Sequence, residues 1–279
     1  MKVPHHASQR NRAVTILPPS IPQKTVLCID AGNSCLKSVV HCGDARQSAA
    51  SLSYADGHGV ESLERLLHKA LPVGCCVVAC SPARLQMLNE ALARALPPET
   101  SVQFLNADSP LPFSMNYTEG RPGADRIANV FRLRALSPRA PAVVADFGTT
   151  THLESVDAAG GFAGGLIMPG LAASAHMLSS STAGTLPTIE FDPRQAALSD
   201  GELFAFSTKG AIENGLLVQQ AAAVDRMFDA ARTRFGPVNF FITGGASTLV
   251  MKYLRNAVRW EPHFTTDGLH EFAKFHFAL

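Results

Sequence analysis

Apolar positions along this chain recur with two different periods, and the places where the period changes mark its elements. Val26, Leu27, Cys28 and Ile29 form a short apolar run ending in Asp30, the pattern of a buried strand entering a turn. Strands are expected next at 36–41 and 47–53. Over 60–71 the spacing becomes helical, with Leu63, Leu66, Leu67 and Ala70 on one face. The run 75–80 reads as another buried strand. A helix over 82–96 carries Leu85, Leu88, Leu92 and Leu96, and Pro97 and Pro98 stop it. A strand at 102–106, a loop over 108–122 and a helix over 123–136 complete the first half.

The second half opens in the same way. Strands are expected at 142–146, 152–156 and 162–167, with Gly160 and Gly161 turning the last hairpin. Helices follow over 171–178 and 208–235, separated by a loop through 190–199. A strand at 238–242 runs into Thr243, Gly244 and Gly245, then helices are expected over 246–256 and near 267–278. Three strands and then alternating helices occur twice. The pattern therefore predicts a duplicated β-β-β-α-β-α-β-α unit with a cleft between the halves, divided as 25–138 and 139–279.

Composition narrows the class without naming it. The 279 residues carry a formal charge of +1, so no electrostatic case exists for a nucleic-acid partner. No apolar run approaches the length of a membrane span. Residues 1–24 hold Arg, His, Pro and one short apolar patch, without the apolar core of a signal peptide, and are expected to be a tail outside the fold. The six cysteines (Cys28, Cys35, Cys42, Cys75, Cys76 and Cys80) form no Cys-x-x-Cys pair. They read as free thiols of a cytoplasmic protein.

The candidate chemistry sits where strands end. After Asp30 come Gly32, which lets backbone approach a ligand, then Asn33 and Ser34 as donors and Lys37 as a cation. Donors and a cation suit a phosphate, and a strand-end carboxylate suits a metal ion bound to it. An ordinary hairpin turn would read the same way. The scheme recurs, however, at Asp146, Gly148 and the hydroxyl cluster Thr149, Thr150 and Thr151. Two such turns, one in each half, read as the two walls of a nucleotide site.

The wording of these segments resembles the type III pantothenate kinases, which include the Bvg accessory factors. That family lies within the acetate/sugar kinase, heat-shock chaperone and actin superfamily. The matching motifs are Asp30-Ala-Gly-Asn-Ser-Cys-Leu-Lys37, Gly123-Ala-Asp-Arg126, Asp146-Phe-Gly-Thr149, Gly164-Gly-Leu-Ile-Met-Pro-Gly-Leu171, Thr182-Ala-Gly-Thr-Leu-Pro187, Thr208-Lys-Gly-Ala-Ile212 with Gly215, and Thr243-Gly-Gly245. The resemblance implies duplicated actin-like (ribonuclease H-like) α/β ATPase domains with the active site between them. It implies ATP-dependent phosphorylation of pantothenate to 4′-phosphopantothenate, the first step of coenzyme A synthesis, by a cytoplasmic homodimer. A nucleotide-binding regulatory protein that has kept the fold and lost turnover is the alternative.

By the same resemblance, ATP would be held by Asp30, Ala31, Gly32, Asn33, Ser34, Cys35, Leu36, Lys37 and Thr149, with Mg²⁺ accompanying it. Asp146 would bind a monovalent cation, K⁺ or NH₄⁺. Pantothenate would meet Tyr117, Gly123, Ala124, Asp125, Arg126 and, from the partner subunit, Thr208. Asp125 would be the base that accepts the proton of the substrate alcohol. Read locally, Asp125 could equally be a carboxylate at a helix N-terminus, Arg126 a surface ion pair and Thr208 an N-cap. His152 and His176 lie near the site in sequence, where a lone His is more often a polar filler. Three departures from the family wording fall at the second turn: Thr150 replaces an Ala, His152 a Thr and Glu154 an Asp. The segment from Tyr117 to Asp125 is also one residue shorter than the family's. These changes leave room for an altered substrate or a weakened enzyme.

Overall fold

Two five-stranded sheets of the same topology make up the frame. The computed structural model describes residues 25–54, 64–65, 67, 74–115, 117–192 and 194–279. The expected tail lies outside them, as does the expected helix over 60–71 apart from Glu64, Arg65 and Leu67, which are helical. The first sheet contains β1 (Thr25–Ala31), β2 (Cys35–Cys42), β3 (Ala45–Ser53), β4 (Cys75–Cys80) and β5 (Ser101–Phe104), in the order β3-β2-β1-β4-β5. The second contains β6 (Ala142–Phe147), β7 (Thr150–Val156), β8 (Phe162–Pro169), β9 (Asn239–Thr243) and β10 (Arg259–Trp260), in the order β10-β9-β6-β7-β8. Read from its β8 edge, the second order repeats the first. In each sheet the first three strands pair antiparallel and the last two join in parallel. The duplication expected from the element order is thus present in the pairing.

Helices α1 (Leu85–Ala95), α2 (Ala124–Leu136), α3 (Leu171–Ser181), α4 (Thr208–Phe235), α5 (Ser247–Val250) and α6 (Phe264–Phe277) fill three layers around the sheets. Alternation along the strands decides what faces what. Leu27, Ile29 and Ala31 of β1 point outward to Leu88, Ala91 and Leu92 of α1. Val26 and Cys28 point inward to Ile127 and Phe131 of α2 and Leu269 and Phe272 of α6. In β6, Val143, Ala145 and Phe147 face the layer that holds α3 and α4. Ala142 and Val144 face Val130 and Leu133 of α2 and Phe264 of α6. The helix pair α2 and α6 is therefore a shared middle layer, although α6 follows the second sheet in sequence. Each fully buried Phe or Leu in it contributes roughly 1.5–3 kcal/mol. A Cβ on Gly268 of α6 would run into the Ala128 carbonyl of α2, so this crossing needs glycine.

Three elements depart from the sequence expectation. The helix expected over 246–256 stops at Val250 and tightens into a 3₁₀ turn at Met251–Tyr253. The buried Asp225 of α4 explains the stop: it accepts the N–H groups of Arg255 (2.9 Å) and Asn256 (3.1 Å) and holds the chain out of helix. The two-residue strand β10 was not expected; it exists because Arg259 and Trp260 pair with Phe241 and Ile242 at the sheet edge. The last helix begins at Phe264, earlier than the expected 267. Among the described residues no helix is long and apolar enough to cross a membrane, and Cys28, Cys35, Cys76 and Cys80 are free thiols.

At the far end of β2, His41 is buried and stacks flat on His270 of α6, with ring centroids 4.0 Å apart. Burial first, then His270, Arg46, Arg132 and Lys274, push the His41 pKa down to about 3. The unfolded chain then binds a proton that the native state refuses, so this site loses stability as pH falls below the ordinary histidine range. We expect it to account for about 1–2 kcal/mol of lost stability between pH 7 and pH 5. In urea unfolding across that range, His41→Phe should show a flatter pH dependence than the wild type. Identical slopes would remove His41 from this role.

Candidate active site

The same alternation that sorts the core also aims the carboxylates. Asp30 continues the inward set Val26 and Cys28, and Asp146 continues Ala142 and Val144, so both strands deliver their terminal Asp to the middle layer. Beyond each, the chain turns on a glycine. The Gly32 N–H donates to the Cys35 carbonyl (3.1 Å), and the Gly148 N–H donates to the Thr150 carbonyl (3.0 Å). The two turns face each other, joined at their tips by a 2.7 Å hydrogen bond between the Ser34 and Thr149 hydroxyls. Between them lies a cavity of about 290 Å³.

Most of the expected site residues line this cavity. Asp30, Ala31, Gly32, Asn33, Ser34, Cys35, Lys37 and Thr149 do so, together with Gly123, Ala124, Asp125 and Asp146. Leu36 does not; alternation turns its side chain into the outer apolar cluster against α1. Gly123 caps α2, which aims Asp125 into the cavity from the first turn of that helix. The Asp125 side chain remains 46% exposed, open to an incoming molecule. Gly244 stands behind Asp146 with φ +94°, where a Cβ would press on the Asp146 carboxylate and the Phe147 backbone. Within the Thr243-Gly244-Gly245 segment it is thus Gly244 that packs closely behind Asp146.

Three expected residues sit elsewhere. Arg126 is buried, and neither a surface ion pair nor a free fork describes it. Its Nε donates to Glu154 Oε1 (2.6 Å) and its Nη1 to the Tyr117 hydroxyl (2.6 Å), which ties Tyr117 to the same network. Thr208 is exposed as the first residue of α4. The N-cap is its neighbour Ser207, whose Oγ accepts the Gly210 N–H at 3.1 Å. His176 is exposed on α3.

His152 and Glu154 form the part of the site that local reasoning undervalued. Both are buried and lie on the inward face of β7, two residues apart. His152 Nδ1 faces the Glu154 oxygens at 3.0 and 3.1 Å. Its Nε2 faces Asp125 Oδ2 at 3.6 Å and Asp146 Oδ2 at 3.8 Å. Asn129 of α2 donates to Glu154 (3.3 Å), and the Thr265 hydroxyl of α6 donates toward Asn129 (3.0 Å) and Asp146 (3.4 Å). The available signal was the placement of His152 and Glu154 two residues apart on one face of the strand, either side of the apolar Leu153. The partners Asn129 and Thr265 had no local signal.

Charge is concentrated here, and the protonation states follow from it. Burial lifts Asp30 to about 7; Lys37 opposes this, while Asp125 and Asp146 add to it. Burial also lifts Asp125 above the usual carboxylate range, against the pull of His152 and the Arg126 N–H. For His152 burial works downward, but Glu154, Asp146 and Asp125 overcome it and carry the imidazole up to about 10. Burial penalises Glu154 as well, yet His152 and Arg126 hold it below its ordinary value.

ATP would bring Mg²⁺ with it. Among the described residues no group of three or more His, Cys, Asp or Glu is arranged to hold a metal ion. The surroundings of Asp146 do not fit a monovalent cation, because its carboxylate is flanked by the His152 ring (Nε2 3.8 Å from Oδ2), the Thr265 hydroxyl (3.4 Å) and the Gly244 backbone.

The Arg126–Glu154 pair makes the network testable by itself. Arg126→Met should cost about 3 kcal/mol, the low end for breaking a buried ion pair, because His152 and Asn129 still face Glu154. Glu154→Gln added to that variant should recover part of the loss. Urea unfolding of the three proteins measures both effects; a loss below about 1 kcal/mol would mean the pair is not needed.

Known proteins share this fold. The ethanolamine utilization protein EutJ of Carboxydothermus hydrogenoformans superposes with a TM-score of 0.52 at 14% identity, covering 93% of this chain and 92% of that one. A Baf family protein of Campylobacter jejuni superposes with a TM-score of 0.51 at 17% identity, covering 90% and 98%. These likenesses carry the fold, a duplicated actin-like α/β architecture. In sequence, a type III pantothenate kinase of Herminiimonas arsenicoxydans is 30% identical over 257 residues, covering 89% of this chain and 97% of its own. One of Burkholderia vietnamiensis is 34% identical over 253 residues, covering 87% and 92%. The family model described as type III pantothenate kinase matches residues 26–230. With that match spanning both turns, Asp125 and most of α4, this chain belongs to the type III pantothenate kinase family.

Proposed function

We infer that the protein uses ATP to phosphorylate pantothenate at its primary hydroxyl, giving 4′-phosphopantothenate for coenzyme A synthesis. The observation that carries this reading is the half-exposed Asp125 carboxylate opening into the same cavity as the two facing turns. Phosphoryl transfer needs positioning and charge neutralisation more than covalent chemistry. The backbone and hydroxyl donors of Gly32, Asn33, Ser34 and Thr149, with the Lys37 ammonium, supply a cradle for phosphates. Mg²⁺ bound to ATP neutralises phosphate charge. Asp125, whose proton affinity is raised by burial, accepts the alcohol proton as the oxygen attacks the γ-phosphorus and the bond from that phosphorus to the β–γ bridging oxygen breaks, releasing ADP. Gly123 and Ala124 give the alcohol a backbone wall. Arg126, spent on Glu154 and Tyr117, acts by fixing that wall unless substrate displaces one of these partners.

A homodimer is part of the same proposal. Strand β8 is an edge of its sheet, and its Leu166 and Ile167 are exposed, as are Met177 of α3 and Phe204 and Phe206 just before α4. Large apolar groups left exposed in this number, several of them around the β8 edge and the start of α4, favour a partner surface. Thr208, two residues beyond Phe206, would then be carried toward the partner's site. The free thiols support a reducing compartment such as the cytoplasm.

Asp125→Asn should lower turnover of pantothenate by about 10²–10⁴-fold, as loss of a positioned base does, while leaving the urea midpoint unchanged. Full activity in that variant would remove the role. ATP binding by calorimetry without pantothenate turnover in the wild type would instead identify a nucleotide-binding accessory protein. For assembly, light scattering should give twice the chain mass for the wild type and a shift toward the monomer for Phe206→Glu; a wild-type monomer would end the dimer proposal.

A further inference from the structure

The two halves place a cation opposite each strand-end carboxylate. In the first sheet Asp30 pairs across the strands with Lys37. In the second, Asp146 pairs with His152 at the equivalent register position. Directly opposed cross-strand residues bring their Cβ atoms within about 4.5–5.5 Å, so each partner is held against its carboxylate by backbone pairing alone. Lys37 and His152 both line the cavity.

The His152 ring is hydrogen-bonded at one nitrogen and flanked by carboxylates at ion-pair distance at the other. Nδ1 meets the two Glu154 oxygens, and Nε2 lies between Asp125 Oδ2 and Asp146 Oδ2. Ionised carboxylates only accept hydrogen bonds, so Nδ1 carries a proton toward Glu154, and the two carboxylates within 4 Å of Nε2 favour a second proton there. Below it, Glu154 is held by Arg126 and Asn129, which keeps the ring from swinging away. The ring is therefore a positive charge fixed by the fold next to Asp146, in the place where a soluble cation would otherwise have to sit.

We propose that His152 is a built-in cation that takes the place of a monovalent ion beside Asp146, so that this chain binds ATP and phosphorylates its substrate without K⁺ or NH₄⁺. The part concerning phosphorylation rests on the kinase reading above; the part concerning ATP binding does not. His152 acts as a positioning residue, neutralising Asp146 and steadying Asp125 so that the phosphates meet no bare carboxylate.

The test compares the wild type and His152→Thr in KCl, NH₄Cl and N-methylglucamine chloride at matched ionic strength. ATP affinity is read by calorimetry and turnover by phosphorylated product. Wild-type affinity and kcat/KM should agree within twofold across the three salts. His152→Thr, with space and an uncompensated Asp146, should lose tenfold or more in N-methylglucamine and regain most of it in K⁺ or NH₄⁺. Rescue by an ion is a result that mere structural damage would not give. Tenfold or greater activation of the wild type by K⁺, or an ion-indifferent His152→Thr, would overturn the proposal. If His152→Thr fails to fold, wild-type calorimetry in the three salts still decides. If no pantothenate is phosphorylated in any salt, the kinase reading fails while the ATP-affinity comparison continues to judge His152.

Discussion

Confining several carboxylates to one poorly solvated cleft is the constraint around which this molecule is built. Asp30, Asp125, Asp146 and Glu154 converge within reach of one another, and none would stay ionised there without fixed positive charge. Lys37, His152 and Arg126 supply it from the strand opposite, the neighbouring strand and the central helix. The compensation is graded. Glu154, with two cationic partners, is held ionised at depth. Asp125, with one at longer range and an opening to solvent, is left with a raised proton affinity.

Rigidity for this arrangement comes from the middle layer. The pair α2 and α6 packs on both sheets at once, so the elements carrying Asp125, Arg126, Asn129 and Thr265 cannot shift without disturbing two apolar clusters. Close helix crossing at Gly268 and the glycine behind Asp146 remove the slack that side chains would otherwise introduce. The last helix closes the structure by returning to the first sheet, which makes the two halves of the duplication mutually dependent.

Much of this was legible beforehand because it is local. Strand-end Asp residues followed by Gly, the period-two alternation that sends Asp30 and Asp146 to the same layer, and the repeated order of elements all reside in short stretches of chain. Residue 125 could be assigned a position at a helix start, and the seven motifs in order pointed to the family that the comparisons then showed. Errors arose where a distant group intervened. Asp225 ends the helix after Gly245 by capturing backbone N–H groups some thirty residues away in sequence. Strand β10 exists only because β9 offers an edge, and Ser207 rather than Thr208 accepts the cap hydrogen bond of α4.

The sequence by itself determined the duplicated α/β plan, the two glycine turns at strand ends and the carboxylates that precede them, since periodicity and turn chemistry act over a few residues. Tertiary structure alone decided what those groups do to one another. It turned Arg126 away from the cavity onto Glu154, set His152 across the strand from Asp146, and recruited Asn129 and Thr265 from helices on either side. Charge interactions depend on separation and on the exclusion of water, and neither is written in the order of residues; both appear only when sheets, helices and turns have closed around the same space.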